Sequence, residues 1–138
     1  MEISGDSPDR VNAVITVQRY EPTPYDEQRA GPVLTRIHVE ETFNGDIEGA
    51  GVCEFLQAAR SDGSATFVGI ERVTGTIAGK KGTFLLQDSG IVSGDAVHGD
   101  WFVIPGSGTG QLTGLRGRGE FRANLGEGAD VYLDHWFE

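Results

Sequence analysis

Thr66-Phe-Val-Gly-Ile-Glu-Arg-Val-Thr-Gly-Thr-Ile77 is the stretch whose reading decides the fold. Its apolar and β-branched residues alternate with polar ones, the period-2 signature of a half-buried strand, and glycine punctuates the run. Phe67, Gly69, Glu71, Val73 and Gly75 share one face of such a strand, and Thr66, Val68, Ile70, Arg72 and Thr74 share the other. Both faces are partly apolar. This is expected where one side lines a barrel interior and the other packs against a terminal segment or a second copy of the chain, and equally of a solid barrel in an oligomer.

Outward from this segment the pattern repeats. Of 21 glycines in 138 residues, 19 lie between Gly45 and Gly128. Each would cost about 1 kcal/mol inside a helix, so the chain is expected to be all-β. Further strands are expected over Val33 to Phe43, Asp46 to Ala58, Ser64 to Ile77, Gly82 to Ser89, Ala96 to Ile104, Gln111 to Leu115, Gly117 to Asn124 and Asp130 to Phe137. Asn44-Gly45, Asp62-Gly63 and the loop Ala78-Gly-Lys-Lys-Gly82 supply the positive φ that tight hairpins need. Short links between successive strands imply up-and-down topology, and closure removes its exposed edges. The expectation is one domain, residues 1–138, built as a single closed antiparallel β-barrel of about eight strands.

Four of the five prolines, Pro8, Pro22, Pro24 and Pro32, precede the glycine-rich region. Val11 to Arg19 reads as an N-terminal strand. Tyr20 to Pro32 reads as an irregular Pro-rich connector, because proline removes a ladder donor.

Eleven basic and 21 acidic residues give a net charge of −10. That balance repels phosphate backbones and anionic lipid, so no nucleic-acid or membrane partner is expected and the ligand should be neutral, apolar or cationic. There is no apolar run of membrane-spanning length and no basic-then-apolar start, and Cys53 has no internal partner, so a cytoplasmic location is expected. Cys53 shares a face with Ile47 and Phe55 and reads as a packed thiol.

Ile104-Pro-Gly-Ser-Gly-Thr-Gly-Gln-Leu-Thr-Gly-Leu-Arg116 superficially resembles a phosphate loop. It lacks the Gly-x-Gly-x-x-Gly spacing, the Lys-Ser/Thr pair and a following helix, and reads instead as a glycine-bent corner of a sheet. Ser107 lacks the context of a nucleophile elbow. His38, His98 and His135 sit singly on separate strands, so no metal is expected. Glu41, Glu48, Glu71 and Asp134 fall inside strands, where acidic residues are disfavoured. Any that face inward would be desolvated and suited to acid–base work. Glu71 leads because it shares its face with Phe67 and the glycines.

The runs Asn44-Gly-Asp-Ile-Glu-Gly49, Phe67 to Ile77, Gly82-Thr-Phe-Leu-Leu-Gln-Asp-Ser-Gly90, Val103 to Gly117 and Tyr132-Leu-Asp134 resemble the DUF3224 family of small bacterial proteins, from Val11 onward. The resemblance implies an allene oxide cyclase-like barrel, whose relatives include dirigent-type proteins and steer ring closure of a reactive apolar substrate without a cofactor. Glu48, Glu71, Gln87, Trp101, Arg116, Tyr132 and Asp134 match the family pattern. Asp88 departs from it, since the family often carries histidine there.

Together these readings point to a cofactor-independent cyclase or isomerase acting on an apolar, polyketide- or lipid-like molecule. Glu71 and Gln87 would be catalytic, and Phe67, Trp101, Tyr132, Asp134, Glu48 and Arg116 would bind substrate. The alternatives are a non-catalytic carrier of a hydrophobic ligand and a solid barrel whose outer face builds a homo-oligomer. A cavity of several hundred Å³ bordered by Glu71 separates the first two from the third.

Overall fold

A computed structural model describes residues 8–27, 30–124 and 128–138, so the first seven residues and two positions of the Pro-rich connector lie outside the described residues. Eight strands run in chain order: β1 (Asp9–Asp26), β2 (Val33–Gly45), β3 (Ile47–Ala59), β4 (Ala65–Ile77), β5 (Lys80–Ser93), β6 (Ala96–Val103), β7 (Leu115–Asn124) and β8 (Ala129–Phe137). Each pairs antiparallel with its neighbour in sequence, and β1 pairs with β8 to close the barrel. The three glycine-bearing hairpins fall where the sequence places them, with positive φ at Gly45, Gly63 and Gly79. No helix among the described residues is long and apolar enough to cross a membrane.

Two expectations change. The Pro-rich connector is largely strand: β1 continues to Asp26, with Pro22 opposite Ile37 and Pro24 opposite Thr35. It tolerates proline because β8 pairs with β1 only as far as Ile15, which leaves one side of the later segment free of ladder bonds. The expected strand at Gln111 to Leu115 is instead a 3-10 turn, Gly110–Leu112, and β7 begins at Leu115.

That turn lies within the glycine-rich loop between β6 and β7, and its role follows from register. β5 begins at Lys80, whereas β6 pairs with it only from Leu86 onward, so the first residues of β5 lack a strand partner on that side. The loop takes over. Lys81 N donates to Gln111 Oε1 (2.9 Å), Thr83 N to Thr109 Oγ1 (3.0 Å) and Leu85 N to Ser107 Oγ (3.0 Å). Every second loop residue offers a side-chain oxygen where a sixth strand would offer a carbonyl. The same fold of the loop drives Leu112 completely into the interior.

The interior divides in two. At the end holding this loop, Phe43, Ile47, Val73, Ile77, Phe84, Leu86, Val103, Leu112, Leu115 and Leu133 are almost fully buried and fill the barrel. Towards the opposite end, which carries the β3–β4 turn and the β7–β8 boundary, inward residues bound a cavity of about 770 Å³.

Candidate active site

Strand alternation decides which residues reach that cavity. On β4, Phe67 and Glu71 point inward as expected. Phe84, Leu86 and Asp88 follow the same alternation on β5, and Glu41 does so on β2 beyond Ile37 and Val39. On β1 an irregularity between Val17 and Arg19 shifts the alternation, so that Val17 and Tyr20 both border the cavity. Phe55, Phe67, Trp101 and Phe121 form an aromatic wall. Phe55 meets Phe67 edge-on at 5.2 Å, and Trp101 meets Phe121 at 5.5 Å.

Two close approaches make room for this lining. A Cβ at Gly51 would overlap Glu71 Oε2, so the missing side chain on β3 is what admits the carboxyl group. A Cβ at Gly99 would overlap the Phe121 ring, which lies flat across β6 for the same reason.

The floor of the cavity is acidic. Glu71 and Asp88 are 1% and 3% exposed, and each keeps one carboxyl oxygen, Oε2 and Oδ1, without a hydrogen-bond partner. Burial raises the pKa of Glu71 well above the carboxylate range, and its hydrogen-bonded neighbour Glu41 pushes it further. Glu41 is itself raised by burial. Asp88 is pushed up to about 8, first by burial and then by the charge of Glu41. Burial and mutual repulsion therefore favour the protonated form at each of the three carboxyl groups. Cys53 completes the group: its Sγ lies 3.9 Å from Asp88 Oδ2, and burial together with the surrounding carboxyls drives its pKa up, so it stays a thiol. One ligand-capable atom each from Cys53, Glu71 and Asp88 lies within 4.8 Å of the other two.

The other sequence candidates separate from this cluster. Trp101 is inward and buried, its Nε1 donating to the Tyr132 carbonyl oxygen at 3.0 Å. Gln87 is one residue out of phase with Leu86 and Asp88 and lies exposed on the outer wall, which removes it from chemistry in the cavity. Tyr132 and Asp134 also face outward, where Arg10 binds Asp134 through two hydrogen bonds (2.8 and 2.9 Å) and lies over the Tyr132 ring. Glu48 is exposed at the filled end, and Arg116 pairs with the terminal Glu138 at 2.7 Å. None of these four can touch a ligand in the cavity.

The histidines do not converge. His38 sits outside between Glu40 and Glu54, His98 outside beside Glu120, and His135 at the filled end with Nδ1 on the Asp9 carbonyl. The sequence reading missed the role of Asp88 and left Glu41 unranked. The signal for Asp88 was its place in Phe84-x-Leu86-x-Asp88-x-Gly90.

A family model described as protein of unknown function (DUF3224) matches residues 11–135. The chain belongs to the DUF3224 family. A crystal structure of a DUF3224 protein of unknown function from Shewanella oneidensis MR-1 is similar over 95% of this chain and 98% of its own. It shares 30% sequence identity and superposes with a TM-score of 0.77. No curated protein matches the sequence.

Proposed function

We propose that this DUF3224 protein is a cofactor-independent cyclase or isomerase that holds an apolar small molecule in the barrel cavity and moves protons through the Glu41–Glu71–Asp88 cluster. The observation that carries this reading is an almost fully buried Glu71 that shares one aromatic-walled cavity with two further carboxyl groups, Glu41 and Asp88, its pKa raised by burial and by Glu41. Two coupled carboxyls supply an acid and a base side by side, which is what a proton shift or an acid-triggered ring closure requires. Glu71 donates to the substrate and Glu41 accepts. Phe55, Phe67, Trp101 and Phe121 hold the reactive conformer and exclude water. The family's resemblance to allene oxide cyclase-like barrels supports the same chemistry by analogy of fold.

The test is conversion of a panel of unsaturated ketones and epoxides in D2O, read by mass spectrometry, alongside binding of the same compounds. Glu71→Gln is expected to keep binding and to lose about 100-fold or more in turnover and deuterium uptake. Undiminished turnover in the variant removes Glu71 from the mechanism. Binding without conversion by the wild-type protein makes it a carrier.

A further inference from the structure

Three carboxyl groups converge on one floor, from β2, β4 and β5. Among the described residues that line the cavity, none is Lys, Arg or His. The remaining titratable groups facing the cluster are the Cys53 thiol on β3 and the Tyr20 phenol at the cavity edge on β1. The inward histidine, His135, is at the filled end and engaged with the backbone. Glu71 Oε2 and Asp88 Oδ1 have no hydrogen-bond partner although both side chains are more than nine-tenths buried. Buried acceptors without donors are costly, and a ligand that brings donors removes that cost.

We infer that the ligand of this cavity is a cationic amine on an apolar body, its ammonium N–H groups donating to Glu41, Glu71 and Asp88. The inference rests on the cavity being a small-molecule site, as proposed above. An ammonium group carries three donors and one positive charge, matching three carboxyl side chains that β2, β4 and β5 direct into one cavity. Trp101 is the register partner of Asp88, and Phe67 and Phe121 line the same cavity, so its walls favour a cation as well as an apolar chain. A bare divalent ion would satisfy the oxygens but leave about 770 Å³ of aromatic-walled space without an occupant. Binding of the amine drives a proton off the cluster to solvent, so the complex forms with net proton release above neutral pH. The chain's net charge of −10 attracts such a ligand from a distance.

Isothermal titration at pH 8 with 4-phenylbutylamine, 4-phenylbutanol and 4-phenylbutyrate isolates the contribution of charge. The amine is expected to bind at least about tenfold tighter than the alcohol, as one charge-assisted hydrogen bond implies, with the carboxylate weakest. Repeating the titration in buffers of different ionisation enthalpy should reveal proton release. Glu71→Gln and Asp88→Asn should each bring amine and alcohol within about threefold, while the alcohol's own affinity holds and certifies an intact cavity. Equal binding of alcohol and amine by the wild-type protein overturns the cationic ligand and leaves the cavity reading standing. Failure of all three probes overturns both. Zinc chloride that binds alone, excludes the amine and loses its hold in Cys53→Ser overturns the inference in favour of a metal centre.

Discussion

The two halves of the barrel interior are built from the same alternating strands yet are solved in opposite ways. At the loop-closed end, large aliphatic and aromatic side chains meet across the axis and fill it. At the other end the inward positions carry smaller residues such as Ala59, Ala65, Ala123 and Ala129. The large rings there lie against the wall rather than across the axis. Volume left out of one half becomes the cavity, and the carboxyl cluster sits at the boundary. The filled half carries the stability that lets the hollow half keep buried, poorly partnered acids.

The largest expected difference between the halves is mechanical. Phe84→Ala in the filled half should cost about 3–5 kcal/mol in urea unfolding, the cost of a new void in a packed core. Phe121→Ala should cost clearly less, because the cavity already exists and the ring is packed on one side. Equal losses would erase the distinction.

The second difference is electrostatic. Asp88 has its pKa raised from 3.8 to about 8, so the folded state holds a proton that the unfolded chain has already released across that window. Folding stability from this group is therefore full below about pH 4 and declines as pH rises to 8. Thermal unfolding of Asp88→Asn should show a flatter pH profile between 4 and 8 and a gain at pH 8. The surface acids behave oppositely. Asp134, held down first by its hydrogen bonds to Arg10, contributes stability that is lost only as pH falls below its ordinary range. A wild-type profile that does not fall between pH 4 and 8 would mean that Asp88 is not held protonated by the fold, since the surface pairs change only below that window.

The smallest effect sharpens the inside–outside boundary. Gln87→Ala should change stability by no more than about 0.5 kcal/mol and leave ligand binding in the cavity untouched, as for an exposed position. A loss of binding would place the ligand on the outer wall.

The fold was legible because alternation, glycine turns and short links all point to one closed sheet. Glu71 was legible because it shares its face with Phe67, Val73 and the glycines, although Val68 and Ile70 make the opposite face partly apolar too. Gln87 was not, because Leu85 and Leu86 are both apolar and the face of β5 cannot be chosen from them. A slip of one residue exchanges Gln87 for Asp88. Tyr132 and Asp134 went outward because Val131 and Leu133 take the inward places on β8. The prolines of β1 misled because the sequence does not reveal that β8 stops pairing at Ile15.

The packed half of the barrel, with the loop Ser107-x-Thr109-x-Gln111 and Leu112 behind it, makes the interior a blind alley. Whatever enters the cavity must back out through the end by which it came. Any product shares its exit with the incoming molecule, so it should inhibit competitively, and a bulky group trailing from the ligand must project towards the β3–β4 turn.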